Sequence, residues 1–341
     1  MQFIHNAWYV AGWASEFGED LRRVTILATH LVMYRTSEGN VVALEDRCPH
    51  RLLPLSKGRR IGDAIQCGYH GMTFDQTGTC IRIPGQDNIP AKAYVEGRLV
   101  HQRHEIVWVW MGDPVLASVD DIFDMPEFTD PSWDAHQGGQ LHLNSHYLNV
   151  AENLVDPAHV SFVHSTTLGS VASEDVRVKT DTTGDPIVAW RWIRNAPPVG
   201  FFQEFGNFAG NVDRWHYYYL HLPCTAVIDF GSADVEVNIA EDQRDQGLRI
   251  FSLHFMTPVD ERHTIDRWMH IRNTAINDGA ASAKIDELFK IAFAEDKVIL
   301  EAIQIEEDRP MKRKPIRVAI DKGPNIYRKR IERLVQKEIQ N

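Results

Sequence analysis

The sequence is poor in cysteine: four in 341 residues, at positions 48, 67, 80 and 224. That is too few for a disulfide framework in a chain of this size, so sulfur points to metal chemistry instead. Long apolar runs are also missing. No stretch of 18 apolar residues occurs, and the opening Met1-Gln2-Phe3-Ile4-His5-Asn6 has no basic segment leading into an apolar one. Neither a membrane span nor a secretory leader is expected, and a cytoplasmic location is. Basic residues are in the minority, 36 Lys and Arg against 47 Asp and Glu, for a formal net charge of −11. Phosphate contacts need clustered cations, so a non-specific nucleic-acid binder is not expected. The locally basic Lys312-Arg313-Lys314 and Tyr327-Arg328-Lys329-Arg330 read as a solvated face of a terminal helix.

What is present suits a soluble globular chain: 43% hydrophobic and 24% charged residues, with length for two packed domains. Residues 1–113 read as short strands separated by turns, among them Leu31–Arg35, Val41–Leu44, Met72–Asp75 and Ile106–Trp110. Residues 113–140, rich in Asp, Pro and Gly, suit a surface linker. Residues 114–341 form the second unit. In it strand-like runs at Ile187–Trp192, Trp215–Leu220 and Leu248–Phe255 alternate with longer helical stretches, predicted over Ala280–Glu307 and Ile326–Ile339. The fold class is α+β.

Two constellations carry chemistry. In the first, Cys48-Pro49-His50 is followed by Cys67-Gly68-Tyr69-His70, a C-x-H…C-x2-H pattern. Two thiolates on one iron and two neutral imidazoles on the other are the ligand set of a Rieske [2Fe–2S] cluster. A Cys₂His₂ zinc site is the alternative, but zinc sites put two or more residues between paired ligands, and one residue separates Cys48 from His50. Cys80 and Cys224 fit neither pair and read as small buried hydrophobes.

The second constellation lies in Asn153-Leu154-Val155-Asp156-Pro157-Ala158-His159-Val160-Ser161-Phe162-Val163-His164. So many polar groups in an apolar segment are costly to bury unless they bind something. His159 and His164 are five apart, about 140° around an ideal helix, and converge only if the helix is distorted. Pro157 contributes to that by restraining Asp156. In the helix predicted over Ala280–Glu307, Ile285, Leu288, Phe289, Ala292, Ile299, Leu300 and Ile303 form one stripe, and Asp296 falls on it. Glu295 and Lys297 point elsewhere. Two imidazoles and a carboxylate make the facial triad of non-haem Fe(II) oxygenases, so His159, His164 and Asp296 are the candidate ligands. His142 and His146 sit on a strand-like segment and are weighed as a competing pair. No carboxylate pattern accompanies them, so roles behind the ligands or toward substrate suit them better.

Together with Asn6-Ala7-Trp8-Tyr9-Val10, Trp108-Val109-Trp110-Met111-Gly112-Asp113 and Phe293-Ala294-Glu295-Asp296, these motifs resemble the oxygenase components of Rieske systems. They are most similar to the subgroup containing vanillate O-demethylase and toluenesulfonate methyl-monooxygenase. The resemblance implies a Rieske β domain followed by a helix-grip (START-like) domain with an antiparallel sheet. It implies a head-to-tail homotrimer and electrons from an NAD(P)H-dependent reductase with a ferredoxin-type cluster. It implies O₂-dependent O-demethylation or methyl hydroxylation of a small aromatic acid. In the family an aspartate, matched by Asp156, joins the cluster of one subunit to the iron of the next, and Asn153 matches a residue near the iron. His254 matches a relative's substrate-contacting histidine, and Asp229 a position where relatives vary. An aromatic acid calls for a buried cation, which the sequence does not single out; Arg214 is a candidate only. Ring cis-dihydroxylation, and a Rieske-type electron carrier without oxygenase activity, are the alternative functions.

Overall fold

The structure, a computed structural model, describes residues 3–165 and 167–340. Its first part is built from three small antiparallel sheets. Strands Trp8–Trp13, Val100–Arg103 and Ile106–Trp110 form one, and Arg22–Ile26, Thr29–Arg35, Val41–Glu45 and Gly97–Arg98 form another. The third, Arg59–Ile61, Ala64–Gln66, Thr73–Phe74 and Cys80–Arg82, carries one of the two ligand loops.

The second part is a seven-stranded antiparallel sheet. Strands Lys179–Asp181, Ile187–Ala196, Val212–His221, Thr225–Asp234, Leu248–Pro258 and Thr264–Arg272 follow one another as a meander, and Asp134–Leu143 pairs outside the last. That edge strand begins inside the segment expected to be linker, so only residues 114–133, a series of single 3-10 turns, connect the two parts. Gly138 and Gly139 let it close on its neighbour, since a Cβ at Gly138 would lie 2.4 Å from the Trp268 ring.

Among the described residues five helices accompany the sheet: α1 (Tyr147–Asn153), α2 (Val160–Val163), α3 (Gly200–Gly206), α4 (Gly279–Glu307) and α5 (Lys322–Gln340). Asp278 starts α4 by accepting the backbone N–H groups of Ala280 and Ala281, at 2.9 and 3.1 Å. Its buried face runs Ala281, Ile285, Phe289, Ala292, Phe293, Asp296, Leu300 and Gln304. The sequence stripe is right up to Asp296 and drifts beyond it. Ile299 and Ile303, expected inside, are 43% and 44% exposed, because a period nearer four than 3.5 carries the buried face onto Leu300 and Gln304.

Period-two alternation assigns the two faces of the large sheet. Ala189, Tyr218, Ile228, Ile250 and Trp268 face the helices and pack with Leu154, Val160, Phe289, Phe293 and Tyr327. Val227, Phe251, Leu253, Phe255 and Ile271 face the other way, against Trp8, Val10, Trp108 and Trp110 of the first part. Thr257 reinforces that seam by donating to the Val10 carbonyl at 2.7 Å. At the opposite end the Glu338 carboxylate of α5 accepts the N–H groups of His5 and Asn6, both at 2.8 Å, tying the last helix to the N-terminal segment.

Candidate metal centres

The two cysteine loops are built alike. The Cys48 carbonyl accepts the Leu52 N–H at 2.9 Å, and the Cys67 carbonyl accepts the Gly71 N–H at 3.1 Å, so each cysteine opens a tight turn. The second turn needs glycine: Gly71 has φ +73°, and a Cβ there would meet Pro84 at 3.0 Å. Cys48 and Cys67 are 2% and 3% exposed, whereas His50 and His70 are exposed with ring centroids 4.6 Å apart. Thiols thus line the inner end of the site and imidazoles its outer rim. Burial, and then the neighbouring Cys67, push the Cys48 thiol up to about 11. Two buried thiols this close ionise together only beside cationic metal, so the donor set fits a [2Fe–2S] cluster. Cys80 packs at 4% exposure among Val32, Leu44 and Phe74, and Cys224 at 6% exposure in the main core.

In the second constellation the chain breaks where the sequence leaves a geometric conflict. Helix α1 ends at Asn153, Asp156 lies outside regular structure with a turn from Pro157 after it, and α2 is a single helical turn. His159 caps its start, and His164 lies past its end with φ −106° and ψ 33°. The two histidines therefore never share a regular helix, and their rings meet at 5.2 Å. The distortion anticipated in one helix is a division into two. Asp156 supports it by accepting the Ala158 N–H at 2.8 Å.

His159, His164 and Asp296 each present a ligand atom within 4.8 Å of the others. Asp296 Oδ1 is 3.5 Å from His159 Nε2, and Oδ2 is 3.2 Å from His164 Nε2. Both rings are oriented from behind. His159 Nδ1–H donates to the Asp156 carbonyl, and His164 Nδ1–H donates to Glu295 Oε2 at 2.8 Å. Each bond leaves the Nε2 lone pair aimed at the shared point, as a metal-ligating histidine requires. Asn153 Nδ2 holds Asp296 Oδ1 at 3.1 Å. Burial would raise the Asp296 carboxyl, but the hydrogen bond and charge of His164 outweigh it and keep it ionised. Burial also opposes protonation of both rings. In His159 it prevails, and in His164 Asp296 and Glu295 reverse it. A divalent cation answers the same demand, and two imidazoles with one carboxylate fit iron(II) with open positions.

Glu295 is the residue sequence reasoning excluded. It lies 100° around α4 from Asp296, yet its longer side chain reaches back to His164, and Thr167 donates to the same Oε2 at 3.2 Å. His142 is exposed at the end of the edge strand, and His146 lies beyond it as the N-cap of α1. The strand stops at Leu143, so the pair does not share a face and stands apart from the triad.

His254 is 1% exposed on the helix-facing side, with Nδ1 2.8 Å from Asp266 and its ring 4.6 Å from Phe293, one turn before Asp296. Asp229 is on the opposite face. Its carboxylate accepts from Arg249 at 3.1 and 2.7 Å, from Arg244 at 3.2 Å and from the Trp215 indole at 3.1 Å. It is a buried structural counter-ion turned away from the triad, because odd-numbered residues of its strand point outward.

A Rieske [2Fe-2S] domain model matches residues 7–94, and a vanillate O-demethylase oxygenase C-terminal domain model matches residues 143–337. The iron-sulfur subunit of a toluene-4-sulfonate monooxygenase system from Comamonas testosteroni is 36% identical over 345 residues, covering 98% of each chain. The oxygenase component of a chloroacetanilide N-alkylformylase from Rhizorhabdus wittichii is 32% identical over 342 residues, covering 98% of this chain and 97% of its own. The crystal structure of dicamba monooxygenase bound to dicamba superposes with a TM-score of 0.87 at 29% identity and covers both chains completely. With its cysteine–histidine loops in the first domain and its histidine–carboxylate triad in the second, the chain belongs to the Rieske non-haem iron oxygenases, in the group that shares the vanillate O-demethylase oxygenase C-terminal domain.

Proposed function

We propose that the protein is the terminal oxygenase component of a monooxygenase system that oxidises a methyl carbon on a small substituted aromatic acid. The observation that carries this is the triad of His159, His164 and Asp296, three ligand atoms within 4.8 Å, in a chain that also holds a Rieske domain. His159, His164 and Asp296 would hold the iron that supplies O₂ reduction, and Cys48, His50, Cys67 and His70 would hold the cluster that passes electrons one at a time. The protein's part is positioning. Asp156 and Glu295 fix the two rings through their Nδ1–H groups, Asn153 fixes Asp296, and the buried surroundings keep bulk water from the reacting methyl group.

The net reaction takes O₂, two electrons and two protons, and inserts one oxygen atom into a methyl C–H bond while the other leaves as water. On an aryl methyl ether the product is a hemiacetal, which collapses to a phenol and formaldehyde. The relatives' named substrates include an aryl sulfonate, which supports an aromatic acid with a methyl or methoxy substituent. The electron donor is an NAD(P)H-dependent reductase of the ferredoxin type.

The active form is a head-to-tail homotrimer in which Asp156 joins His159 to His70 of the partner subunit. The exposure of His50 and His70 supports this, since their rim of the cluster faces outward. No helix among the described residues is long and apolar enough to cross a membrane; a cytoplasmic location is part of the proposal. The test is oxygen uptake by fully metallated protein with a surrogate reductase and a panel of methoxy- and methyl-substituted benzoates and sulfonates. Formaldehyde or a benzylic alcohol in proportion to O₂ supports the reading. A cis-diol, or no substrate-dependent uptake across the panel, contradicts it.

A further inference from the structure

On the helix-facing side of the large sheet, Arg191, Arg214, His216 and Ser232 form one polar island. Arg191 is paired directly across from His216, and Arg214 from Ser232, in adjacent rows of three neighbouring strands. Their exposures are 1%, 1%, 2% and 0%. Among the described residues, five of their atoms have no hydrogen-bond partner: Arg191 Nε, Arg214 Nε and Nη1, His216 Nδ1 and Ser232 Oγ. The two arginines differ in how they are held. Arg191 donates to the Ser173 carbonyl at 2.7 Å and to Ser161 Oγ at 3.2 Å, so it braces the ligand-bearing segment. Arg214 has the Ser170 hydroxyl at 2.8 Å on one nitrogen, and the rest of its fork is unused.

Neither guanidinium pairs with a carboxylate within ion-pair distance among the described residues. Burial, and then repulsion from Arg191, bring Arg214 down to about 10. Asp156 is the carboxylate whose charge is felt at Arg191, and none is felt at Arg214, so this pair of adjacent buried cations is under-compensated at Arg214. Hydrogen bonding to solvent satisfies a donor but does not neutralise such a pair, whereas an oxyanion does both. The island also adjoins the triad. Ser161 lies between His159 and His164, Ser170 follows His164 by six residues, and the charge of His159 is felt at His216.

We infer that Arg214, with Ser232 and His216 beside it, is the anion-binding end of the substrate pocket, holding the carboxylate or sulfonate of an aromatic substrate whose methyl group reaches the triad. The inference rests on the aromatic-acid reading above and names the residues that would enforce it. The guanidinium edge that Ser170 leaves open, the second N–H of Nη2 with a free Nε or Nη1, suits two oxygens of one carboxylate or sulfonate, and Ser232 adds a third donor. A few convergent polar groups are what fix a small ligand's orientation.

The test is calorimetric titration of fully metallated protein with toluene-4-sulfonate, 4-methoxybenzoate and the neutral 4-methoxybenzamide. Wild type is expected to favour the acids. Arg214→Gln is expected to weaken acid binding about 100-fold while moving the amide less than about 3-fold. Ser232→Ala is expected to weaken the acids about 3- to 10-fold. Iron content and cluster absorbance serve as controls for folding. If Arg214→Gln does not assemble both centres, Arg214→Lys, which keeps the charge and loses the fork, carries the test alongside Ser232→Ala. Acids that bind these variants as they bind wild type overturn the role of Arg214 and leave the aromatic-acid reading standing. Acids that do not bind wild type at all overturn both.

Discussion

His164 is gripped by two consecutive residues of one helix: its Nδ1 lies 2.8 Å from Glu295 Oε2, and its Nε2 lies 3.2 Å from Asp296 Oδ2. One carboxylate stands where a metal ligand is wanted, and the other orients the ring from behind. Glu295→Gln keeps the shape and removes the charge-assisted bond, so iron affinity at the mononuclear site is expected to fall about 10- to 100-fold. Competition with a ferrous chelator measures it. The visible spectrum of the cluster should not change; equal affinity in the variant would remove Glu295 from the account.

Asp156 supplies a different test, because its carboxylate touches neither His159 Nε2 nor Asp296. Burial raises its pKa, with His159 offsetting part of the effect. Asp156→Asn preserves the Ala158 cap and the backbone carbonyl that orients His159. It is expected to retain both iron populations while turnover drops by roughly 100-fold or more, on the scale set by a lost charge-assisted link. Stopped-flow oxidation of the reduced cluster reads it directly. Turnover within a few-fold of wild type would discard the inter-subunit link.

His146 makes acid stability testable. Burial, and then nearby Arg328, hold its imidazole down at about 4, against about 6.5 in the unfolded chain. The unfolded state takes up the proton first, so this contribution is intact above pH 6.5 and is lost as pH falls toward 4. The loss is on the order of 2 kcal/mol. There is a structural cause: neutral Nδ1 accepts the Leu148 N–H at 3.2 Å and caps α1, which a protonated ring cannot do. His146→Asn substitutes a favoured cap that does not titrate. Its melting temperature should fall less than that of wild type between pH 7 and pH 5; parallel losses would refute the assignment.

Asp229 is expected to govern stability and not catalysis. Removing it in Asp229→Ala leaves Arg244 without its carboxylate and Arg249 with the exposed Asp245 alone. A loss of about 3 kcal/mol follows from leaving buried charge poorly compensated. Denaturant unfolding measures this, and turnover per correctly metallated chain should stay near that of wild type. A stable variant with altered substrate preference would place Asp229 at the substrate after all.

How much of this the sequence discloses depends on how far apart the cooperating residues lie. The cluster loops are legible because each cysteine has its histidine two or three positions away, and α4 because its apolar stripe announces it. His159 and His164 are legible as polar residues in an apolar segment, while the break that lets them converge is a matter of backbone geometry. Glu295 is hidden because reasoning by helix face neglects side-chain length. Arg214 is named from the sequence as a candidate cation, but the island it forms with Arg191, His216 and Ser232 is hidden because cross-strand register assembles it from three strands. A signal exists only in hindsight: Arg191 shares a face with Ile187, Ala189 and Ile193, where a charge is out of place. The face that Asp229 takes is equally hard to read, since one residue's shift along a strand reverses it.

The measurement that bears most directly on the whole is iron per chain in Asp296→Ala beside wild type, with the paramagnetic resonance of the reduced cluster recorded on both. About three irons in wild type and about two in the variant, with the histidine-ligated cluster signal intact in each, is the expected result. A variant that keeps its third iron, or wild type that never holds one, would contradict the assignment of His159, His164 and Asp296.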